Sequence, residues 1–315
     1  MKFLFGLALL IGLAASRPDD RSYLTYQMSP EIDSDEVGQF RGSKLTNCTC
    51  GTTNKASGRI VGGKETLPNE YPFMVGLGLV TPVRMVVDEI LCGAALLTEY
   101  HAITAAHCTF LNHQVYLALT VGDHDQTNRN KPEYHRVYLV DKIIEHEGWN
   151  ERTVEHDIAI LVTKERMQLS QHARPICLPN RQPNIVGQHV KVAGWGKTAF
   201  QGHTSPVLLK VSLKVIDIKF CNEQYPHQLT TKTVPTQLCT YSYMRDSCQQ
   251  DSGGPVFWAD PESNRYTLVG IVSFGAGCAS TMPGVNTDVY AYSDWIQETV
   301  NNNSPQAVAT CAKIG

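Results

Sequence analysis

From Ile60 to about Val300 the chain is a succession of short apolar runs, each too brief for a buried helix and each closed off by turn residues. The runs Phe73–Val80, Val137–Ile144, Ile158–Val162, Val190–Ala193, Leu208–Val215 and Leu268–Ser273 are rich in Val, Ile and Leu, with Gly, Pro, Asn and Asp between them. Branched side chains suit a pleated, half-buried surface, and frequent turn residues prevent long helices. A sequence of this texture predicts an all-β sandwich or barrel. One stretch differs. Val289, Tyr292, Trp295, Ile296 and Thr299 or Val300 recur near helical spacing, which predicts a closing helix over Asp288–Val300. No repeat of 20–50 residues is present.

The flanks have another character. Lys2 precedes an apolar run, Phe3–Ala15, shorter than the roughly 20 residues a membrane-spanning helix needs. Small residues at Ala14 and Ser16 complete the pattern of a signal peptide over residues 1–16, cut after Ser16, so a secreted protein is expected. Arg17–Asn47 is polar and charge-mixed and predicts a loose start to a pro-segment over residues 17–59. Residues 301–315 form a polar tail carrying Cys311. The net charge of −3 argues against a nucleic-acid partner. The cysteines number ten, an even count that in an oxidising compartment implies complete pairing in disulfides. Cys48-Thr-Cys50 lacks the ligand gap of a zinc site, and no other close cysteine pair exists to complete one.

Three segments carry chemistry. Thr104-Ala105-Ala106-His107-Cys108 sets a histidine beside a cysteine. His156-Asp157-Ile158-Ala159-Ile160-Leu161 opens a buried strand with an acid. Asp246-Ser247-Cys248-Gln249-Gln250-Asp251-Ser252-Gly253-Gly254-Pro255 puts a serine in a tight turn backed by two glycines. A serine hydroxyl is a poor nucleophile at neutral pH; it needs a base within hydrogen-bond reach, and the base needs an acid to fix its tautomer. His, then Asp, then Ser in chain order is one known solution to that requirement.

These segments, with their flanking cysteines, resemble the chymotrypsin-family serine proteases of trypsin type from Ile60 to about Val300. The resemblance implies an all-β fold of two six-stranded antiparallel β-barrels, with the active site in the cleft between them and a C-terminal helix. It implies Ser252 as nucleophile, His107 as base and then acid, and Asp157 as the group that orients His107, with Ser273 bonded to that acid. The backbone nitrogens of Gln250 and Ser252 would form the oxyanion hole. Asp246 would lie at the floor of the specificity pocket, with Gly275 and Gly284 as its small walls, selecting Arg or Lys. Cleavage after Arg59 would free the amine of Ile60 to pair with Asp251. By the same resemblance, disulfides would join Cys92–Cys108, Cys221–Cys239 and Cys248–Cys278. Cys177 would hold the pro-segment through Cys48 or Cys50, leaving the other for Cys311. The implied partners are protein or peptide substrates, an activating protease and protein protease inhibitors. No cofactor, metal, nucleic acid or membrane partner is implied.

The chain departs from the family pattern at Gln250, where the family has Gly, and at Phe274, where it has Trp. Gln250 keeps its N–H but carries a side chain where the backbone must approach substrate. It is the one feature behind a rival reading, a protease homologue acting as a binding or cofactor protein. Gln250 and the Cys48-Thr-Cys50-Gly51 lead-in also resemble insect venom and salivary proteases. Asp123, Asp125 and Glu133 lie where trypsins have a calcium loop, and a solvated acidic loop is expected there instead. A solvent-exposed side chain is expected for His156. Asn47-Cys48-Thr49 and Asn302-Asn303-Ser304 are glycosylation sequons.

Overall fold

The computed structural model describes residues 37–54, 64–80, 86–87, 89–109, 116–197, 203–225, 235–242, 251–275 and 282–315. Six strands close the first barrel: β2 (Met74–Val80), β3 (Ile90–Leu96), β4 (His101–Thr104), β5 (Tyr116–Val121), β6 (Arg136–Glu145) and β7 (Ala159–Thr163), in the order β2-β3-β4-β7-β6-β5. The second comprises β8 (His189–Gly194), β9 (Leu209–Ile216), β10 (Gln237–Tyr241), β11 (Pro255–Asp260), β12 (Arg265–Phe274) and β13 (Gly284–Asp288). Its ring β9-β10-β13-β12-β11-β8 is closed by the β8–β9 pairing, and the short β1 (Lys64–Glu65) adds to the edge of β9. The pairings among these strands are all antiparallel. The two six-stranded barrels implied by the family resemblance are therefore both present.

Local sequence explains the pattern of burial. All five residues of β7, Ala-Ile-Leu-Val-Thr, are buried between β4 and β6. β6 is largely solvent-facing, with only Tyr138 buried and a register shift between Val140 and Lys142 that bends it. Between the barrels, Phe73 meets Phe257 of β11 edge-on with ring centroids 5.1 Å apart. Tyr71 and Tyr266 of β12 complete that cluster. Each such aromatic pair adds about 0.5–1.5 kcal/mol beyond its burial.

The helix expected over Asp288–Val300 begins later. Asp288 is the last residue of β13, Val289 N donates to Val269 O, and a single 3-10 turn spans Tyr290–Tyr292. The helix proper is α2, Ser293–Asn302, with Ile296, Thr299 and Val300 buried. Asp288 stays in the sheet because its carboxylate bonds Tyr290 N and Gln182 Nε2. A preceding helix, α1 (Ile218–Gln224), has no apolar periodicity of note; the Asp217 carboxylate caps it by accepting from Lys219 N.

The expectation of a loose start to the pro-segment does not hold for its described part. Gly38, Gly42 and Lys44 donate backbone bonds to Asn264, Ser263 and Glu262 in the β11–β12 turn, and Asn47 N donates to Ala312 O. The backbone, not apolar burial, supplies the attachment, which composition cannot signal. Cys50 is joined to Cys177 and Cys48 to Cys311, so two disulfides fix the segment. The tail is likewise ordered, with Thr46 bridged to Lys313 and Leu178 to Ala312. The Asn47 side chain is committed to it, donating to Thr310 O and accepting from Ala312 N. Cys92–Cys108 and Cys221–Cys239 are also bonded, whereas Cys248 and Cys278 lie outside the described residues.

The loop after β5 holds its own cation. Lys131 Nζ donates to both oxygens of Asp123, at 2.9 and 2.8 Å, and to Asp125 O. Asp125 accepts instead from Thr127, and Glu133 O accepts from Arg136. An ammonium thus sits among the oxygens that a calcium ion would need, and the loop is an internally paired one rather than a solvated acidic one. Burial alone pushes the Asp123 carboxyl up, but the bonds from His135 and Lys131 outweigh it and hold the carboxyl below its ordinary range.

Two stability predictions follow from these contacts. A Cβ on Gly51, at φ +58°, would lie 2.2 Å from Tyr266 O. Gly51→Ala is therefore expected to cost about 1–3 kcal/mol in urea unfolding. Asp123→Asn is expected to cost about 2 kcal/mol at pH 7. Because the folded-state Asp123 carboxyl is held low, its contribution is present above the unfolded value near about 3.9 and is lost as pH falls through the folded value. Wild-type and variant stabilities measured against pH should converge in acid; a constant gap would contradict the assignment.

Candidate active site

His107 lies in a 3-10 turn, Ala106–Cys108, directly after β4, and Asp157 lies directly before β7, the partner of β4. Pairing of Thr104 with Ala159 thus brings the two residues together. His107 N donates to Asp157 Oδ1 at 2.9 Å, and His107 Nδ1 is 2.7 Å from Asp157 Oδ2. From the second barrel, Ser273 Oγ donates to Asp157 Oδ2 at 2.5 Å and Thr287 Oγ1 donates to Asp157 O at 2.7 Å. Asp157 is only 1% exposed, so these donors replace its hydration. An ionised carboxylate only accepts; Nδ1 therefore carries the hydrogen and Nε2 keeps a lone pair.

Ser252 stands at the mouth of β11 in a turn pressed against the first barrel. Its carbonyl accepts Gly93 N at 2.8 Å, and Gly253 and Gly254 exchange backbone bonds with Val272. A Cβ on Gly253, at φ +74°, would lie 2.1 Å from Thr104 Oγ1 and 3.0 Å from Cys108 Sγ, beside His107. Only glycine permits that approach. The Ser252 hydroxyl is half-buried and makes no hydrogen bond to a described residue. Asp251 Oδ1 accepts Gly196 N at 2.9 Å, and a Cβ on Gly194 would lie 2.1 Å from the same oxygen. Gly194-Trp195-Gly196 is thus a cradle for the Asp251 carboxylate, a role not legible before the fold was known.

Gly284 opens β13 and is buried; Gly275 follows β12 and is exposed. Extending the Phe274↔Val285 register by one residue sets the two glycines opposite each other. Phe274 packs edge-on against Tyr225, whose hydroxyl donates to Pro283 O. Arg59, Ile60, Asp246 and Gln250 lie outside the described residues. Cys92, His107 and Cys108 bring potential ligand atoms within 4.8 Å of one another, but both sulfurs are committed to the Cys92–Cys108 disulfide.

His156 is not the exposed side chain expected. Its ring stacks on His146 with centroids 4.7 Å apart, and Nδ1 is 2.9 Å from the Tyr292 hydroxyl. Its backbone is left-handed, at φ +56°, and its carbonyl accepts Ile158 N across Asp157. Burial, with the neighbouring His156 charge, holds the His146 imidazole low against the opposing pull of Glu147. Tyr292 arrives from a distant part of the chain, so its contact with His156 could not be read from local spacing.

Known proteins place this geometry in context. Residues 60–296 match the family described as Trypsin. A venom serine protease of Polistes dominula is 35% identical over 263 residues, covering 81% of this chain and 89% of that protein. Venom serine protease 34 of Apis mellifera is 34% identical over 257 residues, covering 80% of this chain and 60% of its own length. Among solved structures, neuropsin, a serine protease expressed in the limbic system of mouse brain, aligns with a TM-score of 0.64 and 26% identity. That alignment covers 76% of this chain and 100% of the neuropsin chain. With its paired barrels and this extent of match, the chain belongs to the trypsin family of serine proteases, and venom serine proteases are among its similar relatives.

Proposed function

We propose that this chain is the zymogen of a secreted endopeptidase that cleaves peptide bonds after Arg or Lys. The observation that carries the reading is the His107–Asp157–Ser273 array, closed across both barrels of a trypsin-family fold. Ser252 Oγ attacks the scissile carbonyl while His107 Nε2 takes its proton. Asp157 holds the Nδ1 hydrogen and stabilises the imidazolium without itself being protonated. The N–H groups of Gln250 and Ser252 receive the oxyanion, each such donor worth about 2.7–4 kcal/mol. His107 then gives its proton to the leaving amine. Water, deprotonated by the same imidazole, releases the acyl group and restores Ser252.

The proposed selection of Arg or Lys rests on Asp246, the carboxylate that the resemblance to trypsin-type proteases assigns to the pocket floor, with Gly275 and Gly284 as its small walls. A neutral side chain would leave it unpaired and desolvated. Cutting after Arg59 frees the Ile60 amine, which joins Asp251 and completes the oxyanion hole. The pro-segment stays attached through Cys50–Cys177 and Cys48–Cys311. Residues 1–16 serve as the signal peptide. Among the described residues no helix is long and apolar enough to cross a membrane. The substrates are exposed Arg/Lys sites in proteins, and protein protease inhibitors occupy the same cleft.

The test uses protein cut at Arg59–Ile60, with the new amino terminus sequenced. Hydrolysis of Arg and Lys reporter peptides should exceed that of a Phe peptide, and Ser252→Ala should lower kcat/KM by at least about 10⁴-fold. Arg59→Gln should block activation while leaving folding intact. Correctly cut, folded protein without turnover would refute the enzyme reading in favour of a binding homologue, with Gln250→Gly as the variant that then restores activity. Ser273→Ala removes one of the donors to Asp157 and should lower kcat with little change in KM, by about tenfold.

A further inference from the structure

Away from the catalytic cleft, the clasped segment 37–54 encloses a cavity of about 320 Å³ against the β11–β12 turn. Arg41, Lys44 and Arg265 line it, together with Gly42, Leu45 and Ser263, and no carboxylate does. Arg265 Nη1 donates to Phe40 O and Asn264 O, both neutral carbonyls. Neither Arg41 nor Arg265 has a carboxylate partner among the described residues. Lys44 reaches Glu262 at 3.6 Å, but that carboxylate is shared with Arg181 at 2.9 Å and Lys313 at 2.5 Å. Asp260 is the other acid nearby, and Lys313 takes it at 2.9 Å. Positive charge therefore exceeds negative charge locally, although the chain as a whole carries −3. Burial and the charges of Arg41 and Arg174 push the Arg265 guanidinium down, the mark of cations gathered without compensation.

We propose that this cavity is a binding site for a tetrahedral oxyanion of the sulfate or phosphate-monoester type, held by Arg41, Lys44 and Arg265. A guanidinium fork matches two oxygens of such an anion, and an ammonium adds a point charge beside it. The site is composite: Arg41 and Lys44 come from the segment that precedes Arg59, and Arg265 comes from β12. The disulfides Cys48–Cys311 and Cys50–Cys177 keep both halves together whether or not the chain is cut at Arg59. The anion has two possible sources, a sulfate ester on a polysaccharide or the free inorganic ion, and they share this chemistry.

The full chain is titrated by calorimetry with inorganic sulfate, inorganic phosphate and heparin, against chloride at matched ionic strength. An Arg41→Gln/Lys44→Gln double variant is compared with a Lys142→Gln/Arg152→Gln control, which removes the same charge from exposed positions elsewhere. The wild type and control should bind at least one probe, with the Arg41/Lys44 variant about tenfold weaker. Tight heparin binding with weak sulfate binding identifies the polysaccharide source; saturation by sulfate or phosphate alone identifies the free ion. Binding of no probe, or equal weakening in both double variants, would overturn the proposal. Both substituted residues lie at the surface of the segment, and unchanged thermal unfolding of the variant confirms that the clasp is intact.

Discussion

A buried carboxylate organises this molecule. Asp157 sits at the join of the two barrels, and leaving it without donors would cost several kcal/mol. Its bonds come from both sides: His107 from the first barrel and Ser273 from the second, with Thr287 of the second barrel donating to the Asp157 backbone carbonyl. The same contacts that satisfy the charge also set the relation of β7 to β12 and β13. Site geometry and barrel docking are therefore one constraint, and the aromatic cluster of Tyr71, Phe73, Phe257 and Tyr266 reinforces it from the far side.

Glycine supplies the second requirement, close approach of the Ser252 turn to the first barrel. Gly93 meets Gly254, and Gly253 meets Thr104 and Cys108, at separations that a side chain would not allow. The Asp251 carboxylate is likewise received by Gly194 and Gly196. These glycines lie on three separate stretches of chain, yet each answers the same need for backbone to pass against backbone or side chain. Next to Asp157 in the chain, His156 is held by stacking on His146 and by the Tyr292 hydroxyl.

The segment 37–54 is held by a different physics. It contributes little to the core beyond Val37 and its cystines, and it is attached by backbone hydrogen bonds and two disulfides. Such attachment would survive a cut after Arg59, because the backbone bonds and both disulfides join residues that precede it to residues that follow it. It also explains the cationic cavity: a polar segment laid over a polar turn leaves side-chain charges gathered at the seam instead of expelling them from an apolar contact.

The sequence by itself determined the all-β class of the fold and singled out the candidate reacting groups. Short β-forming runs between turn residues specify an all-β sandwich or barrel, because period, length and punctuation are local properties; the two antiparallel barrels came from the family resemblance. His107, Asp157 and Ser252 stood out as candidates because each lies in a distinctive local segment and their chain order is informative. The start of α2 was misplaced because Val289 and Tyr292 mimic helical spacing while Asp288 is held in the sheet, its backbone N–H by Thr236 and its carboxylate by Gln182. Pairing of Cys48 and Cys50 stayed open in sequence, since two cysteines separated by one residue are equivalent until the tail and Cys177 are placed in space. The order of residues 37–54, the stacking of His156, the Lys131 ammonium among the loop oxygens and the Gly194–Gly196 cradle were decided only by tertiary structure. Each is a contact between residues distant in sequence or a matter of side-chain direction, and neither leaves a periodic trace in the chain.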